Sequence, residues 1–365
     1  MTVFQELAES RIPYYLTSFS ALDRFFRKKT RENVHLAVGC SLVDLAKLFP
    51  DLEFPAVEGV DAAITRDGTR IHLTCRDEPG EKFGRHTFPV LDIVYDPTRD
   101  LFLDPHGVYP QLRESSIEMP ANPSNPLDVV MYAAILAARY NYRLSGPIPQ
   151  LTPDVPEPST ELHRTFVRNL FGSDSPWNGL DLLMESGFVE RFWPQFVPMN
   201  ATDQSKGHHP EGNVWVHSLE TLRYRKTNDL LLSLSLFLHD CGKPYSQRKG
   251  ERRFDGHAEI GAGIARTFLG KMGFQAEFIE QVDFLVRYHM VPGALAALPV
   301  YRTEKLMSSR LFPILLELYR CDLSSTYRGP DGYYEACKVY RAFLRNVHNP
   351  FRGADGKKLV RLYVE

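Results

Sequence analysis

Histidine and aspartate residues gather in the second half of this 365-residue sequence, in an order typical of a metal site. The pair His239-Asp240 closes the apolar run LLLSLSLFL. Imidazole and carboxylate groups rarely end such a run unless a partner compensates for their lost hydration, and a bound metal ion would do so. The residues that complete the set are His217, His257, His289 and Asp322.

A divalent ion that acts on a phosphate ester needs several nitrogen or oxygen ligands and one open position for water. The predicted ligands of a first ion are His217, His239, Asp240 and Asp322. His257 and His289 would hold a second ion about 4 Å away, with Asp240 bridging the two ions. A single buried histidine is more often a hydrogen-bonded core residue, so the prediction depends on the ordered set.

Residues beside this set are candidates for catalysis and substrate binding. Lys243 follows Asp240 by three positions, so both side chains would face one side if the helix continued for another turn. We therefore predict that both residues are catalytic and that Lys243 binds a phosphate oxygen of the substrate. His209 and Glu211, in the segment HHPEG, would line the rim of the site, with capping or packing as an equal alternative.

Composition sets limits on the partners and the compartment. The formal net charge of −2 gives no global attraction to nucleic acid, although it is compatible with a local basic face. The five cysteines have no CxxC spacing, which favours reduced thiols in the cytoplasm. No apolar run reaches the roughly 18 residues of a membrane span, and the N-terminus does not have the pattern of a signal peptide.

The spacing of apolar residues predicts an α+β fold. Residues 1–33 read as an amphipathic helical segment, and residues 34–117 contain short strand-like stretches that predict a small mixed sheet. The Asp-Gly step in TRDGTR predicts a hairpin. From residue 125 the pattern is helical, interrupted by the proline-rich segment 149–159. The run LLLSLSLFL fits either a strand or a buried helix.

The order H…HD…H…H…D resembles that of the HD-domain metal phosphohydrolases. The segments HHPEGNVWVHSLETL, LFLHDCGKP, GHAEIGA and VRYHM resemble the HD domain attached to bacterial CCA-adding tRNA nucleotidyltransferases. Upstream, FPVLDIVYDPTRDLFLDPHG and AAILAARYNYRL resemble further segments of that family, so the resemblance spans about residues 34–345. It implies a small nucleotidyltransferase-like sheet domain followed by an all-helical body that contains the HD domain.

The N-terminal part departs from that family where its metal-binding carboxylates should lie. The resemblance implies a GGxxRD loop, a DxD strand and a third acidic residue, but Val38-Gly39-Cys40 replaces the double glycine and His72 stands at the third position. Asp44, Asp61 and Asp67 are present but do not have the required spacing. The alternative is that Asp92, Asp96 or Asp104 serves as the metal-binding carboxylate. We therefore predict a degenerate head in which Asp96 and Asp104 stabilise turns.

An intact metal set beside a degenerate head predicts a phosphomonoesterase or cyclic phosphodiesterase that acts on a nucleotide or an RNA end through the HD domain. One alternative is a CCA-adding type of tRNA nucleotidyltransferase with displaced carboxylates, and another is a non-catalytic nucleotide or RNA sensor. One or two ions of Mn, Fe, Co, Ni or Zn would suit the histidines better than Mg²⁺, which prefers oxygen ligands. The sequence leaves the oligomeric state open.

Four segments are predicted along the chain. Residues 1–120 form the degenerate nucleotidyltransferase-like domain, and residues 121–200 form a helical connecting region. The HD domain covers residues 201–345, and residues 346–365 form a short tail.

Overall fold

The computed structural model describes residues 2–28, 33–55, 59–66, 68–76, 86–120, 123–204, 212–249, 252–326 and 328–346. His209, Glu211, Asp67 and the tail from residue 347 lie outside this description. The chain folds into two compact units, one formed by residues 1–132 and 142–147 and the other by residues 133–141 and those from 148 onward. The predicted boundaries at residues 120, 200 and 345 stay predictions.

A six-stranded mixed sheet dominates the first unit, in the order β3-β4-β2-β1-β5-β6. Its strands are β1 Tyr14–Leu16, β2 Asn33–Val38, β3 Ala62–Arg66, β4 Thr69–Cys75, β5 Val94–Asp96 and β6 Leu101–Leu103. Strands β2 and β4 run parallel, whereas each other neighbouring pair in this sheet is antiparallel. The mixed sheet confirms the prediction for this region.

Short helices accompany the sheet of the first unit: α1 Val3–Glu9, α2 Ser18–Phe25, α3 Leu42–Leu48 and α4 Tyr109–Glu114. A small parallel pair of strands follows, β7 Ser116–Glu118 and β8 Arg143–Ser145. Alternation along β2 directs Leu36 into a buried cluster that also contains Leu7 of α1 and Leu45 of α3. The intervening positions, among them His35, therefore belong to the opposite face.

Two local predictions for this unit were wrong. The segment 1–33 is not uniformly helical, because Pro13 precedes β1 and Arg11 has a φ of +56°, both of which end a helix. The stretch FPVLDIVYD begins with a single 3-10 turn at Pro89–Asp92 because proline lacks the N–H that a strand ladder needs. The predicted hairpin is confirmed, since Arg66 lies opposite Thr69.

The described part of the second unit consists mainly of helices, with one short strand pair. Helix α5 Pro126–Tyr140 contributes residues to both units. The helices that follow are α6 Thr160–Phe171, α7 Pro176–Glu185, α8 Phe188–Phe192, α9 Val197–Ala201, α10 Val214–Arg223, α11 Leu230–Leu238, α12 His257–Lys271, α13 Ala276–Tyr288, α14 Val291–Ala294, α15 Val300–Met307, α16 Phe312–Ser324 and α17 Asp331–Asn346. The strands β9 Gln247–Lys249 and β10 Arg252–Asp255 lie between α11 and α12.

The ambiguous run LLLSLSLFL forms helix α11. The carboxylate of Asp229 accepts a hydrogen bond from the Leu232 N–H, which caps the first turn. The helix is buried on all sides from Leu231 to Leu238, and this explains why its sequence has no polar stripe. Its C-terminal end carries His239 and Asp240 into the interior of the second unit.

Among the described residues, no helix combines the length and the apolar character that crossing a membrane requires.

Candidate functional site

The predicted ligand set comes together around the carboxylate of Asp240. Its Oδ2 lies 3.4 Å from His217 Nε2 and 3.2 Å from His239 Nε2. Its Oδ1 lies 3.3 Å from His257 Nε2 and 3.7 Å from His289 Nε2. Each carboxylate oxygen therefore faces a different pair of histidines, which is the arrangement that a bridging ligand requires.

Asp322 belongs to the first of these two groups. Its Oδ1 lies 3.2 Å from His217 Nε2 and 3.9 Å from His239 Nε2. It stands in the last turn of α16, whereas the histidines come from α10 and from the end of α11. The donor atoms of His217, His239 and Asp240 all lie within 4.8 Å of one another, as do those of Asp240, His257 and His289.

Three histidines share one orienting contact. The Nδ1 atoms of His239, His257 and His289 lie 2.7, 2.8 and 2.7 Å from the carbonyl oxygen of the residue three positions earlier. A carbonyl can only accept, so Nδ1 carries the proton and donates it. The lone pair is left on Nε2, the atom that faces Asp240. This tautomer is the one a metal-ligating imidazole needs.

His217 reaches the same tautomer through a serine. The hydroxyl of Ser325 donates to the Asp322 carbonyl at 2.7 Å, which uses its only proton. Its oxygen lies 3.3 Å from His217 Nδ1, which must then be the donor of that contact. The Nε2 atom of His217 is thereby free of its proton and directed at Asp240 and Asp322.

The buried donor set fits a divalent cation. His239 Nε2 is buried and forms no hydrogen bond among the described residues, although Asp240 Oδ2 lies 3.2 Å away. His257 Nε2 and His289 Nε2 lie 3.2 Å apart with both Nδ1 protons directed elsewhere. Lone pairs that face one another in a buried site repel, and a shared cation would turn that repulsion into coordination.

Electrostatics maintains the charge states that coordination needs. Burial opposes ionisation of Asp240, but His239 and Lys243 outweigh it and hold the pKa of this carboxyl well below its usual range. Burial also opposes ionisation of Asp322, but the neighbouring imidazoles of His217 and His239 lower its pKa. Burial, helped by His239, lowers the pKa of His289 to about 3. These carboxylates stay ionised and His289 stays neutral near pH 7.

Lys243 contacts Asp240, but not through a continued helix. Helix α11 ends at Leu238, and Lys243 begins a separate 3-10 turn that ends at Tyr245. Its Nζ nevertheless lies 2.5 Å from Asp240 Oδ2 and 2.6 Å from the side-chain oxygen of Gln204. Sequence reasoning missed Gln204, because a lone glutamine outside a motif carries no spacing signal.

Gly242 allows the metal-bearing segments to approach. A Cβ atom at this position would lie 2.1 Å from the His257 carbonyl oxygen and 2.5 Å from the Gly261 N. These are backbone atoms of α12, so they cannot rotate away. The glycine in the sequence HDCGK therefore lets the loop after Asp240 pack directly against the helix that begins with His257.

The sheet of the first unit has imidazoles where the resemblance placed a metal-binding carboxylate. His35 of β2 and His72 of β4 are direct partners across the parallel pair. Their ring centres lie 4.9 Å apart, with the ring planes at 88°. Burial lowers the pKa of His35 to about 3, so it stays neutral. Neither strand contains an acidic residue.

Three aspartates that the sequence offered as alternative metal ligands are held by local contacts. Asp96 accepts from the Thr98 and Arg99 N–H groups, and Asp104 accepts from the N–H groups that begin α4, so both stabilise turns. Asp92 accepts from the His86 N–H and lies 3.3 Å from His106 Nε2.

Asp44 and Asp61 are exposed instead, beside the carboxyl ends of β2 and β4. Asp61 accepts from the N–H of Cys75, the last residue of β4, and Asp44 lies close enough to Cys40 to help burial raise the pKa of that thiol.

Comparison with known proteins places this geometry in context. Residues 213–314 match the HD domain family, which is thereby present in the chain. The CC-adding tRNA nucleotidyltransferase of Thermus thermophilus is 34% identical over 199 residues, which cover 52% of this chain and 45% of that protein. The A-adding tRNA nucleotidyltransferase of Deinococcus radiodurans is 28% identical over 190 residues, 49% of this chain and 42% of that protein. The chain thus spans about half the length of the curated relatives it matches.

A solved structure shares the fold. The Bacillus stearothermophilus CCA-adding enzyme in complex with CTP has a TM-score of 0.53 and 16% identity, covering 93% of this chain and 80% of that chain. At this level of identity the likeness concerns the fold alone. It confirms the predicted α+β architecture. The predicted resemblance to the HD domain and to tRNA nucleotidyltransferases is confirmed by the family match and by the named relatives.

The prediction that the chain is a phosphohydrolase is wrong. The relatives from Thermus thermophilus and Deinococcus radiodurans are both named as tRNA nucleotidyltransferases, which favours nucleotidyl transfer over hydrolysis. The prediction was wrong because it inferred the reaction from the presence of a complete set of metal ligands. A cluster of histidines and carboxylates specifies that a metal is bound, whereas the reaction depends on the substrate that reaches the metal.

Proposed function

We propose that the protein is an enzyme of the tRNA nucleotidyltransferase type that adds nucleotides to the 3′ end of tRNA or a related RNA. The observation that carries this proposal is the 34% identity over 199 residues to the CC-adding enzyme of Thermus thermophilus. In this reaction the 3′ oxygen of the RNA bonds to the α-phosphorus of a nucleoside triphosphate, and the bond to pyrophosphate breaks. The partners are therefore an RNA end and CTP or ATP.

Asp44 and Asp61 are the proposed carboxylates of the transfer site. They lie beside Cys40 and Cys75, which mark the carboxyl ends of the parallel strands β2 and β4. Burial, Cys40 and Asp61 raise the pKa of Cys75 to about 11, as expected if these groups share one edge of the sheet. Exposed carboxylate oxygens suit Mg²⁺, which would neutralise the triphosphate when bound.

We further infer that the HD cluster is a separate divalent metal centre. The ligands of a first ion would be His217, His239, Asp240 and Asp322. His257 and His289 would complete the set around a second ion on the other oxygen of Asp240. Four imidazole ligands favour Mn, Fe, Co, Ni or Zn over Mg.

The transfer proposal is tested by labelling RNA. The purified chain is incubated with Mg²⁺, labelled CTP or ATP, and a tRNA transcript that ends before its last three nucleotides. We expect labelled RNA, and a loss of about 100-fold or more in Asp61→Asn if this carboxylate neutralises charge during transfer. The matched control is Asp51→Asn, which removes an exposed carboxylate that only pairs with Arg66. Equal labelling by Asp61→Asn and the wild type would exclude the proposed site.

One observation favours a second candidate function, nucleotide or RNA binding without transfer. His35 and His72 occupy the centre of the parallel strand pair, and neither strand carries an acidic residue. Imidazoles do not hold Mg²⁺ against a triphosphate, because Mg²⁺ prefers oxygen ligands. Binding of CTP or of the truncated tRNA without label incorporation, in wild type and Asp61→Asn alike, would favour this candidate.

A further inference from the structure

We infer that the outer face of helix α17 is a binding surface for unpaired RNA. Four exposed residues of this helix recur at spacings of three or four positions: Tyr334, Lys338, Arg341 and Arg345. An α-helix turns by about 100° per residue, so these four side chains share one face of it. The face combines an aromatic ring with three cations, the two kinds of group that bind the bases and the phosphates of a single strand.

The opposite side of α17 anchors the helix to the second unit. The residues buried on that side are Tyr333, Ala336, Cys337, Tyr340 and Phe343. The ring centre of Tyr340 lies 4.7 Å from that of Phe312, the first residue of α16. The exposed face therefore belongs to a helix that is already packed, and binding does not have to pay for ordering it.

Tyr334 presents its ring to solvent in a restrained position. The residue is 63% exposed, and its ring centre lies 5.6 Å from that of the buried Tyr333, with the ring planes at 58°. The neighbouring ring supports one part of Tyr334 and leaves the rest accessible. Because every base has a π-face, an accessible tyrosine ring can stack on an unpaired base whatever its sequence.

The cations of this face are spread along the helix. Lys338 is exposed over 78% of its side chain, and its Nζ lies 3.8 Å from the equally exposed carboxylate group of Glu335, a kind of pair that contributes little. A rise of about 1.5 Å per residue places Arg345 roughly 10 Å further along the axis. Cations at this separation suit successive phosphates of a strand better than one small anion. The formal net charge of the chain is −2, so the basic face is a local feature.

The neighbouring helix α15 has the same pairing of ring and cation. Helix α15 packs against α17 and carries exposed Tyr301 and Lys305, four positions apart as Tyr334 and Lys338 are. Tyr301 is 73% exposed, and the guanidinium of Arg302 lies 5.9 Å from the centre of its ring. A charged face that is merely solvated needs no exposed rings. The repeated pairing therefore favours a nucleic-acid strand over solvent alone.

This inference takes RNA as the partner from the proposed function, but it concerns a surface of the second unit that is separate from the proposed transfer site. Binding is measured without nucleoside triphosphate. A failure of nucleotide transfer therefore leaves the test of this surface intact, and loss of RNA binding at this surface leaves the labelling test intact.

Fluorescence anisotropy of a labelled, unstructured RNA titrated with the full-length protein tests the surface. We expect saturable binding by the wild type and binding at least about tenfold weaker in the double variant Lys338→Gln/Arg345→Gln. The slope of log affinity against log salt should also become smaller by about 1.4, because two phosphate contacts to a single strand are lost. The matched control is Arg266→Gln/Lys271→Gln, which removes two exposed cations from α12 and should bind like the wild type.

Two variants of Tyr334 separate stacking from charge. Tyr334→Ala removes the ring and should weaken binding by about tenfold, whereas Tyr334→Phe keeps the ring and should bind like the wild type. Urea unfolding of each variant checks that it is folded. Absence of RNA binding by the wild type, or equal weakening by the two double variants, would overturn the inference. Polyglutamate that competes as strongly as unlabelled RNA would assign the face to an acidic protein and would overturn it as well.

Discussion

The Nε2 atoms of His257 and His289 lie 3.2 Å apart, while each ring directs its Nδ1 proton to a backbone carbonyl. Two lone pairs at this distance leave room for one shared cation and disfavour an empty site. Together with the opposite pair, His217 and His239, they place a histidine pair on each oxygen of Asp240. From this relationship we propose two ions for each chain.

Removal of His289 should therefore remove one ion only. We expect about two equivalents of Mn²⁺ or Zn²⁺ in the wild type and about one in His289→Ala, because the group around His217 stays complete. Elemental analysis of dialysed protein measures the ratio. Asp240→Asn weakens both groups of ligands, so its metal content should be lower than that of His289→Ala. Equal metal content in wild type and His289→Ala would contradict the two-ion arrangement.

Ser325 should act on the metal through His217. Ser325→Ala removes the oxygen that accepts the Nδ1 proton, so His217 loses its fixed tautomer and metal affinity should fall by about 10-fold. Competition with a chromogenic chelator measures this change. Ser324→Ala is the matched control, because its hydroxyl donates only to the Arg320 carbonyl. If the two variants bind metal equally well, Ser325 does not orient His217.

Gly242 should tolerate no side chain. In Gly242→Ala the new methyl group would overlap backbone atoms of α12, and we expect a loss of about 3 kcal/mol in the free energy of unfolding. Gly263→Ala, on the same helix with open space around it, should be neutral or stabilising. Tryptophan fluorescence during urea unfolding reports on the second unit, since all three tryptophans lie there. Equal stability of both variants would show that the close approach is absent in solution.

His163 should make the second unit less stable in acid. Trp193 is buried and its indole N–H donates to His163 Nε2 at 2.8 Å, which requires the neutral imidazole. Burial, with Lys271 adding to it, lowers the pKa of His163 to about 4. The unfolded chain takes up this proton near pH 6.5 and the folded chain only near pH 4, so stability falls as the pH falls through this window.

We expect His163→Phe to lose this pH-dependent contribution to the free energy of unfolding, about 3 kcal/mol, between those two pH values. The measurement is the urea midpoint of tryptophan fluorescence at a series of pH values, for variant and wild type together. The wild-type midpoint should decline more steeply than that of the variant. Parallel profiles would mean that His163 does not titrate in this range.

The metal cluster was predictable because its residues come from short motifs whose spacing survives in the sequence. His239-Asp240 and the later histidines needed no knowledge of the tertiary structure to be chosen. The contact between His35 and His72 was not predictable, because it depends on the register of two parallel strands. The contact of Gln204 with Lys243 was not predictable either, since this hydrogen bond joins residues 39 positions apart.

The error about the reaction has a similar physical origin. The metal ligands of the HD cluster belong to short sequence motifs. The proposed transfer site instead combines carboxylates from different elements of the fold. Asp44 follows β2 on helix α3, and Asp61 precedes β3, yet both reach the same edge of the sheet. Their spacing along the chain matches no motif. The missing GGxxRD and DxD spacing therefore led to the prediction of a degenerate head.

The most direct test of the central claim is incorporation of labelled CTP and ATP into a tRNA transcript that ends before its last three nucleotides, resolved on a denaturing gel. The same transcript treated with a known CCA-adding enzyme serves as the positive control. The account predicts labelled RNA lengthened at its 3′ end, with loss of label in Asp61→Asn and not in Asp51→Asn. No lengthened RNA from the wild-type chain, with either nucleotide or both, while the control enzyme labels the transcript, would contradict it.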